Sequence, residues 1–185
     1  MSDAAAVVAA LTRRGQTVAT SESLTGGLVG AAITSVPGAS AVYVGGVVAY
    51  ATRLKTALLG VPEDVIDAYS VISPQTATRM AAGVRELTGA DWGIATTGVA
   101  GPDPQDGHAP GEVWIGLAGP GGETTAQGFR FDGGRDDVRA QTVAAALALL
   151  GEALDAKDSL GGVVNGADAR LGASSASQDH TEVVS

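Results

Sequence analysis

The feature that most constrains this chain is a regular alternation of short β-type runs and helical segments, punctuated by glycine or proline at nearly every junction. Residues 4–14 are rich in small and branched apolar side chains and close on Gly15, the pattern of a helix with a left-handed C-cap. Residues 17–20 read as a short strand, and residues 28–34 have helical spacing that Pro37-Gly38 breaks. A β-prone stretch over residues 42–50 carries Gly45-Gly46, the mark of a bulge or close backbone approach. Residues 52–59 predict a helix ending at Gly60, and Pro62 opens a short one reaching Ala68. Ser73 and Pro74 are an N-cap and first-turn pair for a helix reaching Leu87, with Gly89 just beyond. Residues 92–97 form a buried type of strand. Residues 98–111, with three prolines and four glycines, must be a loop. Residues 112–118 and 124–131 pair as a hairpin across residues 119–122, and residues 135–154 form a long final helix. Alternation followed by a hairpin predicts an α/β fold, a three-layer α/β/α sandwich around a mixed β-sheet. One domain is expected over residues 1–156. The Gly-, Ala-, Ser- and Asp-rich stretch 157–185 lacks periodicity and is expected to be a disordered tail.

Composition removes many chemistries. The 185 residues include no cysteine, which excludes disulfides, thiolate nucleophiles and cysteine zinc sites. Only His108 and His180 are present, too few for most histidine metal sites, and neither is an obvious triad base. No metal and no cofactor are expected. A net charge of −9, from 20 acidic and 11 basic residues, argues against a nucleic-acid surface. No apolar run approaches the ~20 residues of a membrane helix. The apolar start lacks a basic region and runs into Arg13 and Arg14, unlike a signal peptide, so a cytoplasmic location is expected.

Four stretches can carry chemistry. In Ser21-Glu22-Ser23-Leu24-Thr25-Gly26-Gly27, a strand gives way to a glycine-rich helix start, placing the Ser23 hydroxyl beside unpaired N–H groups. Those donors, around Thr25, Gly26 and Gly27, suit an oxyanion or an anionic ligand group, and the glycines admit a close substrate approach. The competing reading is that Ser23 or Thr25 caps the helix. Thr96-Thr97-Gly98-Val99-Ala100-Gly101 ends a strand in hydroxyls and a tight turn, where ligands of open α/β sheets gather. Tyr50, Arg53 and Lys55 follow the long strand. With no histidine nearby, Lys55 is the candidate base for a serine, provided desolvation or a neighbouring cation lowers its pKa; a solvated helix lysine is the alternative. Arg135 and Arg139, one turn apart at the start of the last helix, can grip a phosphate or pair with surface acids. His108 reads as an exposed loop histidine, and His180 has no role.

These stretches, with Val71-Ile72-Ser73-Pro74, Gly111-Glu112-Val113-Trp114 and Phe131-Asp132-Gly133-Gly134, occur in an order that resembles the CinA C-terminal domain family. The resemblance covers about residues 4–152. Stand-alone members of that family include nicotinamide-nucleotide amidohydrolases, which convert nicotinamide mononucleotide to nicotinic acid mononucleotide and ammonia. The resemblance implies that Ser23 is the nucleophile, that Tyr50, Lys55 and Thr97 belong to the active site, and that Arg139, more than Arg135, anchors substrate. Leu24 stands where many members carry Cys; its side chain is expected to pack inward. A homo-oligomer acting on a small pyridine nucleotide, without nucleic acid or membrane, is the corresponding expectation. The alternative is a non-catalytic nucleotide-binding module of a competence or DNA-damage system.

Overall fold

The computed structural model describes residues 3–168, with side chains described through residue 156. The elements follow the order α1 (Asp3–Arg14), β1 (Val18–Glu22), α2 (Leu28–Thr34), a 3-10 turn (Ala39–Ala41), β2 (Tyr43–Val48), α3 (Thr52–Leu59), α4 (Glu63–Tyr69), α5 (Pro74–Thr88), β3 (Trp92–Gly98), β4 (Glu112–Ala118), β5 (Thr124–Arg130) and α6 (Arg135–Asp168). The five strands form one sheet in the order β2-β1-β3-β4-β5. β2, β1 and β3 are parallel, while β3-β4 and β4-β5 are antiparallel. The sheet is therefore mixed, as the alternation followed by a hairpin predicts. Two boundaries differ in a way that matters. β1 runs on to Glu22, so the strand delivers Ser23 directly at its end. α6 continues past Leu154 to Asp168. Of the tail expected from residue 157, residues 169–185 lie outside the described residues.

Each strand's alternation sends side chains to two different cores. Val18, Trp92, Ile94, Val113, Ile115 and Leu117 meet α1, α2 and α6 on one face. Ala19, Ala95 and Ala118 meet α5 and its neighbours on the other, through Met80, Ala81 and Val84. This second face is built from small residues because α5 lies very close to it. A Cβ on Gly93 would collide with the Ala81 carbonyl, and one on Gly116 with the Ala77 carbonyl. Gly83 of α5 likewise admits the Leu59 carbonyl at the end of α3. The close approach sets the height of α3, and hence of Lys55, above the sheet.

Candidate active site

The carboxyl ends of β1, β2 and β3 face one edge of the sheet. β1 connects to β2 on one side and is flanked by β3 on the other, which makes the β1/β3 boundary the crevice where open α/β sheets bind ligands. Ser23 sits there, and its N–H donates to the Thr96 carbonyl at 3.0 Å, tying the end of β1 to β3. A cavity of about 130 Å³ opens in front of it, lined by Ser23, Lys55, Thr97, Tyr50, Arg135 and the Gly98–Gly101 turn among others.

The helix start beyond Ser23 is capped by a residue to which sequence reasoning gave no role. Glu22, 2% exposed, accepts from the N–H groups of Gly27 at 2.9 Å, Val29 at 3.0 Å and Gly30 at 2.8 Å. A carboxylate at a helix N-terminus is favourable for both charge and hydrogen bonding. Ser23 is therefore not the cap. Neither is Thr25, whose buried hydroxyl is 2.7 Å from that of Thr96. The donors expected for an anion are partly consumed, since Gly26 N–H goes to the Ser23 carbonyl and Gly27 N–H to Glu22. Gly26 at φ 61° and Gly27 at φ 100° serve the backbone turn itself, and neither lines the cavity. Leu24 is buried in the core at 4% exposure and also borders the cavity.

Lys55 is the decisive side chain. It is 2% exposed, and its Nζ lies 3.2 Å from Ser23 Oγ and 2.9 Å from the Ala49 carbonyl. Burial disfavours the ammonium and lowers its pKa from 10.5 to about 8. Ala49 accepts a hydrogen bond from the amine and holds it in place, which leaves the lone pair of the neutral form available to Ser23. The solvated-lysine reading does not apply.

The remaining expected residues divide. Thr97 donates to the Val71 carbonyl at 2.6 Å and lines the cavity. Tyr50, 58% exposed, accepts from Arg135 Nη2 at 2.9 Å, and Arg135 Nη1 donates to the Gly101 carbonyl at 3.1 Å, so these two side chains span the mouth. Arg139 is placed differently from the substrate anchor inferred by resemblance. Its Nε and Nη2 donate to the Leu24 and Thr25 carbonyls, each at 3.1 Å, outside the cavity lining. It clamps the turn after Ser23, and Arg135 is the arginine at the pocket. Asp103 and Gln105 also line the cavity, and only the folding back of their loop brings them there. His108 is only partly exposed; Glu112 and Ser70 hold its ring. His180 lies outside the described residues.

Fold and site together define a class: an α/β domain with a serine–lysine pair at the carboxyl edge of its parallel strands. Within that class the chain belongs to the CinA C-terminal domain family, whose model matches residues 2–154. It is 48% identical over 144 residues to a CinA-like protein of Frankia casuarinae, covering 78% of this chain and 33% of that one. It is 43% identical over 145 residues to a putative competence-damage inducible protein of Bacillus velezensis, covering 78% and 35%. The chain thus spans about a third of the length of these curated relatives. Among solved structures, a competence-damaged protein (CinA) superfamily protein of Klebsiella pneumoniae matches with a TM-score of 0.80 and 36% identity, covering 83% of this chain and 96% of that one. The competence/damage inducible protein CihA of Agrobacterium tumefaciens matches at 0.78 and 34%, covering 83% and 93%. Among the described residues, no helix is long and apolar enough to cross a membrane.

Proposed function

We propose that the chain is an amidohydrolase that converts nicotinamide mononucleotide to nicotinic acid mononucleotide and ammonia, with Ser23 as nucleophile and Lys55 as base. The observation that carries this reading is the 3.2 Å approach of a buried, pKa-lowered amine to a serine hydroxyl inside a cavity. With its pKa near 8, about a tenth of Lys55 is neutral at pH 7, enough for general-base catalysis.

Neutral Lys55 takes the Ser23 proton as Oγ bonds to the carboxamide carbon, and the carbonyl electrons move to oxygen. The resulting ammonium returns that proton to the amide nitrogen, the C–N bond breaks, and ammonia leaves a Ser23 ester. Water then attacks the ester while Lys55 accepts its proton. That proton passes to Oγ as the C–O bond breaks, releasing the acid. The oxyanion is assigned to the amides of Leu24 and Thr25. Among the described residues neither has a hydrogen-bond partner, and the N–H after a nucleophilic serine is a common oxyanion donor. Thr97 and Tyr50 orient the amide. The cavity is smaller than the ~300 Å³ of ordinary ligand sites, so it admits the carboxamide-bearing ring while the ribose and phosphate lie across the mouth beside Arg135.

The pyridine-nucleotide ligand, cytoplasmic location and self-association belong to the same proposal. Ammonia release from nicotinamide mononucleotide by the purified chain, beside Ser23→Ala, tests it. Turnover lost in the variant supports the reading; no turnover by the parent protein favours the non-catalytic module.

A further inference from the structure

A second serine stands in a different hydrolytic geometry, away from Lys55. Ser70 Oγ lies 3.2 Å from His108 Nε2, and His108 Nδ1 lies 2.7 Å from Glu112 Oε1. Glu112 as carboxylate can only accept, which places a proton on Nδ1 of neutral His108 and leaves Nε2 as the acceptor for the Ser70 hydroxyl. This is the order of roles in a serine–histidine–acid triad, which is recognised by geometry and not by sequence position. Arg130 Nη1 lies 3.7 Å from Glu112 Oε2.

The supporting shell is fixed. Ser70 has φ 74° and ψ 160°, a positive-φ region that residues with a side chain rarely adopt. Its backbone is held there, with its N–H on the Ile66 carbonyl and its carbonyl accepting from Ser73 and Thr76 hydroxyls. Ile72 N–H donates to Ser70 Oγ at 3.2 Å, so the hydroxyl proton is directed elsewhere, towards His108. His108 is itself anchored by reciprocal backbone bonds with Gln105, at 2.8 and 3.0 Å. The Val71 N–H, next after the serine, has no hydrogen-bond partner among the described residues. Ser70 borders an open groove of about 620 Å³ whose walls include Thr52, Ile66, Tyr69, Asp67 and Asp106.

We propose that Ser70, His108 and Glu112 form a second acyl-transfer site, independent of Ser23, that hydrolyses small carboxylic esters. Ser70 Oγ bonds to the ester carbon while its proton passes to His108 Nε2. His108 then protonates the departing alkoxide as the C–O bond breaks; water, deprotonated by His108, bonds to the acyl carbon, and His108 returns that proton to Ser70 Oγ as the Oγ–acyl bond breaks and the acid leaves. Two aspartates on the groove select uncharged or cationic esters over anionic ones.

The test uses the full chain carrying Ser23→Ala, so that only the second site can react. An alkyl fluorophosphonate should form an adduct that fragmentation mass spectrometry places on Ser70, and p-nitrophenyl acetate should be hydrolysed. Both signals should fall at least tenfold on adding His108→Gln and vanish with Ser70→Ala. Should the His108 variant fail to fold, treating the Ser23→Ala protein with diethyl pyrocarbonate gives the same readout, and labelling should be blocked. Absence of an adduct on Ser70, or labelling indifferent to loss of the imidazole, overturns the proposal and leaves the Ser23 reading untouched.

Discussion

At the scale of single residues, the Ser23–Lys55 pair makes two separable statements. Removing the proposed nucleophile in Ser23→Ala should lower kcat by at least about 10³-fold with KM little changed, since in that role the hydroxyl acts in the reaction and not in binding. Deamidase kcat should rise about tenfold per pH unit below pH 8 and level off above it, because only neutral Lys55 is a base. A pH-independent rate between 6 and 9 would remove Lys55 from that role. The same pKa shift bears on stability. Between pH 8 and 10.5 the unfolded chain retains a proton that the folded chain has released, so raising the pH stabilises the fold. Compared with Lys55→Met, the wild-type chain should gain about 3 kcal/mol across that window, measurable by urea unfolding at each pH.

Elements hold these residues where they work. The β1–α2 junction is gripped from two sides, by Glu22 on the helix amides and by Arg139 of α6 on the Leu24 and Thr25 carbonyls. Glu22→Gln keeps the shape but replaces one accepting oxygen with a donor, leaving a buried amide unpaired; a loss of about 1–3 kcal/mol should follow. Arg139→Ala should lower kcat more than it raises KM, as fits a clamp on the turn, whereas Arg135→Ala should act mainly on KM. Steady-state kinetics of the two variants separates the assignments. The α5–sheet contact has no spare room. Gly93→Ala or Gly116→Ala should cost about 2–4 kcal/mol, since a backbone carbonyl, not a pliable side chain, occupies the space.

Across the whole molecule, the site exists only because three strand ends, α3 and the first turn of α6 meet. Ser23, Thr97, Lys55 and Arg135 come from four separate stretches, yet all border one cavity. In the proposed mechanism nucleophile and base are both protein side chains, Ser23 and Lys55. Ammonia release should therefore be unchanged by EDTA; a rate restored by added divalent cation would contradict the proposed mechanism.

Much was legible without coordinates, because it rests on local physics. The period of apolar residues, the glycine C-caps at Gly15, Gly60 and Gly89, and the Ser73-Pro74 helix start depend on neighbours within a few positions and are written in the chain. Lys55 was legible only as a candidate base by elimination, because no cysteine and no nearby histidine are present; its contact with Ser23 was not. Partnerships across long separations were not legible. Glu22 carried no expected role, Arg139 was expected by resemblance as a substrate anchor, and His108 read as an exposed loop residue. Each role is set by which backbone amide, carbonyl or side chain the folded sheet brings within about 3 Å. The lowered pKa of Lys55 has the same origin. Desolvation belongs to the packed interior around the amine, and no spacing of letters along a chain encodes it.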